Sequence, residues 1–124
     1  MTGIGKEKPK LKAKSVVVQH IGRTTIEPKE GGKMKEARDK YILSCKHPDK
    51  EEPIEISRVR FEKGTKMETQ ALWDSRDDED LISYDSAMAH LLRFYELNMV
   101  EELEGKTLQT VTDINSGFLI IKAY

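Results

Sequence analysis

Apolar residues recur with period two along most of this chain and with the helical period in one stretch. Val16, Val17 and Val18 carry a first strand candidate at 15–20, and Thr24, Thr25 and Ile26 extend it or pair with it. Residues 28–35, with Gly31-Gly32 at their centre, read as a long mobile loop. Over 39–47 the alternation is clean: Tyr41, Leu43 and Cys45 share one face, while Ile42, Ser44 and Lys46 share the other. His47-Pro48-Asp49-Lys50 is turn chemistry, since Pro fixes φ and Asp bonds its own backbone. The returning strand, 54–62, changes phase. Ile54 and Ile56 have one parity, Val59 and Phe61 the other, and an extra residue at Ser57-Arg58 would put all four on one face. A β-bulge is therefore expected there. After a turn at Lys63-Gly64, Met67, Thr69, Ala71 and Trp73 alternate with Glu68, Gln70 and Leu72. Three strands with short turns make an antiparallel meander.

One helix follows an acidic loop at 74–80. Tyr84, Met88, Leu91, Leu92, Tyr95 and Met99 form a stripe at helical spacing, and Ser83 or Asp85 is placed to cap it. Asn98 ends the regular helix, 100–104 adds a short turn, and Gly105 closes it. Two last strands, 107–114 and 118–124, flank the hairpin turn Asn115-Ser116-Gly117. The expected fold class is α+β. It is a five- to six-stranded, mostly antiparallel, barrel-like (OB-like) sheet, with one main helix between the meander and a C-terminal β-hairpin. A flexible basic arm at 1–14 precedes a single domain at 15–124, a size that suits one hydrophobic core.

Leu91-Leu92, the run Glu102-Leu103-Glu104-Gly105-Lys106, Val111, Gly117-Phe118-Leu119 and Lys122-Ala123-Tyr124 together resemble the end of a known family. It is that of the small OB-fold single-stranded-DNA-binding proteins of phages and mobile elements. The resemblance covers the last third of the chain. It implies an OB fold and single-strand binding, and it carries over no binding motif residue by residue.

Charge sharpens the picture. Through Lys63 there are 16 Lys and Arg against 10 Asp and Glu; from Gly64 onward there are 5 against 12, so halves of +6 and −7 sum to −1. Such a split suggests a polyanion-facing surface, an acidic surface held away from it, or halves that neutralise each other. No apolar run approaches the ~20 residues of a membrane helix, and the N-terminus lacks the apolar stretch of a secretory signal. The single cysteine, Cys45, has no internal disulfide partner. The expectation is an intracellular, cytoplasmic protein with no membrane partner.

Nucleic-acid binding needs cations for phosphates and flat rings for bases, each stacked base contributing about 1–3 kcal/mol. Lys10, Lys12 and Lys14 on the arm and Lys40, Tyr41, Arg58, Arg60 and Trp73 on the meander supply both. Arg58 and Arg60 share a parity and point the same way. The competing reading has these arginines pairing with Glu55 and Glu62 while Tyr41, Phe61 and Trp73 fill the core. The acidic loop lacks the spacing and glycine of a calcium loop, and one Cys with three scattered His does not make a zinc site. Cys45 alternates with core positions, which marks a buried thiol. No nucleophile, base and oxyanion donor assemble from named residues, so no catalytic residue, metal or cofactor is assigned and no enzyme is expected. The leading function is a non-enzymatic module for single-stranded DNA or RNA. The alternative is an interaction or assembly component, viral or from a mobile element, in which the acidic half of one chain meets the basic half of another.

Overall fold

A computed structural model describes residues 2–5 and 10–124 of the chain. Lys6 and Lys8, counted in the basic arm, lie outside the described residues. Strand β1 (Val16–Ile26) pairs antiparallel along its length with β2 (Arg38–Lys46), with a register irregularity between Val18 and His20. The loop between them, 27–37, is where Pro28 and the glycine pair break the alternation. Short β3 (Ile54–Ile56) returns beside β2. One residue later the chain resumes as β4 (Arg58–Lys63), which forms a hairpin with β5 (Lys66–Ala71) around Gly64 at φ 62°.

The phase change expected at Ser57-Arg58 is the point where the chain leaves one sheet for the other. Ile56, Val59 and Phe61 are all buried, so the extra residue does put both parities into one core. The C-terminal limb does the same thing. β6 (Thr107–Leu108) pairs with β1, and after Gln109 the chain continues as β7 (Thr110–Thr112), antiparallel to β8 (Leu119–Ala123). Tyr95 fixes that bend: its hydroxyl donates to the Lys122 carbonyl at 2.6 Å and accepts the Gln109 N–H at 2.9 Å.

The result is α+β: eight strands in two four-stranded sheets, ordered β3-β2-β1-β6 and β5-β4-β8-β7, with barrel-like curl. Among the described residues only β4–β8 pairs in parallel. Counting β3/β4 and β6/β7 as single bent strands, the pairing runs in a circuit: β1 to β2, β2 to β3/β4, on to β8, to β7/β6 and back to β1.

The helix is shorter than its apolar stripe. α1 spans Ala87–Phe94, capped by Ser86, whose Oγ accepts the Ala89 N–H at 3.2 Å. Asp85 does not cap it, because its carboxylate is held by Lys63 at 3.0 Å and His90 at 3.1 Å. Glu96 takes positive φ, 58°, and ends the helix before Asn98. Tyr84 and Met99 therefore fall outside it and are exposed, whereas Met88, Leu91 and Leu92 seal the barrel. A 3₁₀ turn, Val100–Leu103, follows, and Gly105 at φ 84° ends it. The core joins Val16, Val18, Leu43, Phe61, Leu72, Leu91, Leu103, Leu108 and Ile121. Truncating a fully buried ring such as Phe61 to Ala costs about 3–5 kcal/mol in cores of this kind.

Candidate nucleic-acid interface

The outer face of the first sheet follows from the inner one. Tyr41, Leu43 and Cys45 of β2 point into the core, so Lys40, Ile42, Ser44 and Lys46 point out. Directly opposed residues share a side, which adds Thr24, Gly22 and His20 from β1 across from Lys40, Ile42 and Ser44. Beyond β5 the chain rejoins this sheet. Leu72 is fully buried; its N–H donates to the Ser57 carbonyl and its carbonyl accepts the Tyr41 N–H, at 2.9 and 2.8 Å. This anchor sets the phase of the segment, and Trp73 is turned outward opposite Lys40. The Arg38 guanidinium carbon lies 4.4 Å from the indole centroid, a cation–π stack. Arg38, Lys40 and Trp73 thus form one partly exposed group at the end of β2 that meets the 27–37 loop.

Beneath the group, facing inward, lies a polar cluster. The Asp74 carboxylate, nearly buried, accepts from Arg23 at 2.8 Å, from Arg76 at 2.7 Å and from the Tyr41 hydroxyl at 3.1 Å. Arg76 also donates to the Tyr41 oxygen at 3.1 Å. Burial alone would raise the Asp74 pKa, but the bonds from Arg76, Arg23 and Tyr41 outweigh it and hold the carboxyl below its usual range. Burial pushes the Tyr41 phenol up. The hydrogen bond to Asp74 raises both arginines, so Asp74, Arg23 and Arg76 stay ionised through the neutral pH range. A cleft of about 310 Å³ opens beside it, with Glu101 and Glu104 on its far wall.

The expected site residues separate into three groups. Lys40 and Trp73 come together as described. Tyr41 does not join them: it is buried, and its ring packs in the core below Lys40. Arg58 and Arg60 point outward together, but from the second sheet. Arg58 lies 4.0 Å from Asp113, and Arg60 donates to Thr69 Oγ1 at 3.0 Å. Lys10, Lys12 and Lys14 are exposed, and the backbone that carries them is tied to the barrel. The Lys12 carbonyl lies 2.8 Å from His47 Nε2, the Lys14 carbonyl accepts from Thr110 at 2.7 Å, and Lys14 Nζ pairs with Asp49 at 2.8 Å.

Two features escaped the sequence reading. His47, read as turn chemistry, is fully buried and links the 10–15 segment to the β2–β3 turn, where its Nδ1 accepts the Asp49 N–H at 3.0 Å. Asp74, counted in the acidic loop, belongs to the barrel; its position two residues beyond Leu72, in the same phase, was the available signal. Residues 76–80 of that loop are exposed, and Asp77 Oδ1 accepts the N–H groups of Glu79 and Leu81 at 2.9 and 3.0 Å. Among the described residues no three His, Cys, Asp or Glu converge to hold a metal. Among the described residues no helix is long and apolar enough to cross a membrane.

No family model, curated protein or solved structure matches this chain. The functional reading therefore rests on its own geometry.

Proposed function

We propose that this chain is a non-enzymatic, single-strand nucleic-acid-binding module built as an OB barrel, and that the outer face of the first sheet is its binding surface. The observation that carries the reading is the Arg38–Lys40–Trp73 group, an outward indole with one cation stacked on it and another directly across the strand pair. A base laid on the guanidinium would extend the Trp73–Arg38 column, since arginine planes and aromatic rings both accept bases. Lys40 and Lys46 on the same face would follow the phosphates, with the lysines of the 27–37 loop at its edge. The circuit of strand pairing, with the helix between the third and fourth limbs, supports the OB assignment. Strands two and three of that fold are its usual oligonucleotide platform. The resemblance to phage and mobile-element single-strand binders points the same way.

The test is fluorescence anisotropy of a labelled single-stranded oligonucleotide at low and moderate salt, with a duplex control. The parent should bind the single strand preferentially and lose affinity as salt rises. Trp73→Ala should weaken binding by about 1–3 kcal/mol, and Arg38→Glu with Lys40→Glu should abolish it. Arg58→Glu with Arg60→Glu is the comparison. If that pair abolishes binding while the first pair does not, the surface is the second sheet. Absence of binding at low salt would overturn the function itself.

A further inference from the structure

We propose that this protein self-associates head to tail, through an acidic loop on one copy and a lysine-rimmed apolar cleft on the next. The contact uses residues outside the Arg38–Lys40–Trp73 face.

The cleft has a volume of about 430 Å³ and lies between β3, the 113–118 turn and the 10–11 segment. Its walls are apolar, with Leu11, Ile54 and Phe118 prominent, and Phe118 is 75% exposed. Lys10 and Lys50 stand in its lining, against a single carboxylate, Glu55. An apolar floor with ammonium groups around it suits an acidic segment that carries one large aliphatic side chain.

The chain presents such a segment. Residues 77–81 read Asp-Asp-Glu-Asp-Leu, and Leu81 is 59% exposed. The loop is held in shape by the two Asp77 bonds, by the Arg76–Ile82 bridge, and by Arg76 donating to the Asp80 carbonyl at 3.0 Å. Such pre-organisation lowers the ordering cost of docking.

Position excludes the intramolecular fit. The loop leaves the barrel at the Arg38 end of β2, where Asp74 bonds the Asp39 carbonyl and Arg38 reaches Ser75. The cleft lies at the other end, where Ile54 pairs with Cys45. Seven residue steps of strand separate Arg38 from Cys45, roughly 23 Å at the strand rise. A loop and cleft at opposite poles of one molecule meet only between copies. The contact is heterologous, so it propagates into chains or closes into rings.

The experiment is sedimentation velocity on nuclease-treated full chain over a wide concentration range, at low and high salt. Species larger than monomer are expected to grow with concentration at low salt and to dissolve at high salt. Lys10→Gln with Lys50→Gln removes the cleft's cations; Asp78→Asn, Glu79→Gln and Leu81→Ser remove the loop's features. Each variant alone should lose self-affinity; for the loop variant the loss is roughly tenfold or more, the effect expected of one lost buried leucyl side chain. Their equimolar mixture should form a dimer and nothing larger, because each variant retains one working pole. That recovery also shows that both variants are folded. A parent that stays monomeric at millimolar concentration, a variant that assembles like the parent, or a mixture that stays monomeric would each overturn the proposal.

Discussion

Asp74→Asn tests whether the inward cluster is held by charge. The substitution keeps the shape of the side chain and removes its negative charge. At present the carboxylate accepts three hydrogen bonds, from Arg23, Arg76 and Tyr41, and its side chain is 7% exposed. An asparagine oxygen can serve one arginine, but its Nδ2 must then face the other, donor against donor. Arg23 and Arg76 are 53% and 37% exposed, so both regain water, and the Coulombic part of the loss is discounted for solvent screening. What cannot be recovered is one hydrogen bond to a charged group at a nearly buried site, about 2 kcal/mol. For a chain of this length that is a fall in Tm of about 8 °C. Circular dichroism melts with urea titrations at pH 7 measure both.

The pH dependence supplies the sharper check. The Asp74 pKa is lowered in the folded state, against about 3.9 in an unfolded chain. A group depressed on folding contributes stability that is fully present above its unfolded pKa and lost as pH falls through its folded pKa. The gap between parent and variant should therefore be constant from pH 7 to about 5 and close below about 4. A gap under about 0.5 kcal/mol at pH 7, within the range of ordinary surface substitutions, would show that the arginines do not need the carboxylate. A gap that persisted undiminished in strong acid would show that the misplaced amide donor, not the lost charge, destabilises the variant.

Two further outcomes follow from buried groups. His47→Ala should cost about 2–3 kcal/mol by leaving a cavity and unpaired polar groups; native-state trypsin digestion should then cut faster after Lys12 and Lys14, and an unchanged digestion rate would show that His47 does not anchor this segment. Cys45 is fully buried, and desolvation pushes its thiol up to about 12, so it should resist an aromatic disulfide reagent at pH 8 and react at once in denaturant; rapid native reaction would contradict the packing.

What was legible in the sequence was whatever depended on local phase. The alternation at Tyr41, Leu43 and Cys45 and the phase slip at Ser57-Arg58 both stand in the structure, because side-chain period and burial are coupled one residue at a time. The helix was overread at both ends, because Tyr84 and Met99 continue the stripe after the backbone has ceased to be helical. Hydrophobic spacing records neither a cap nor a left-handed residue. Lys40 and Trp73 both stand among the candidate residues, but nothing local could show that they lie on the outer face and oppose each other, since they are 33 positions apart along the chain. The inward side of Tyr41 follows from the same alternation, but its hydrogen-bond partners Asp74 and Arg76, 33 and 35 positions away, do not.

The charge split takes on a definite meaning once the pairs are placed. Arg23 with Asp74, Arg58 with Asp113 and Lys63 with Asp85 each join a basic-half residue to an acidic-half residue. The halves therefore neutralise each other partly inside one molecule, as interleaved strands of a single barrel must. The pairing does not consume the charge evenly. The carboxylates it uses are Asp74, Asp85 and Asp113, which belong to the framework, and it leaves Asp77, Asp78 and Glu79 exposed at the Arg38 end of β2. On the basic side, Lys10 and Lys50 remain at the opposite end, and Lys40 remains on the outer face beside Trp73. A net charge of −1 thus resolves into a cationic aromatic face and two poles of opposite character. The loop adjoins Trp73 directly in sequence, so a second copy docked on it would stand at the edge of the binding face. Assembly along a strand and binding to it would then favour each other, and sedimentation of the parent with and without a long oligonucleotide would measure that coupling.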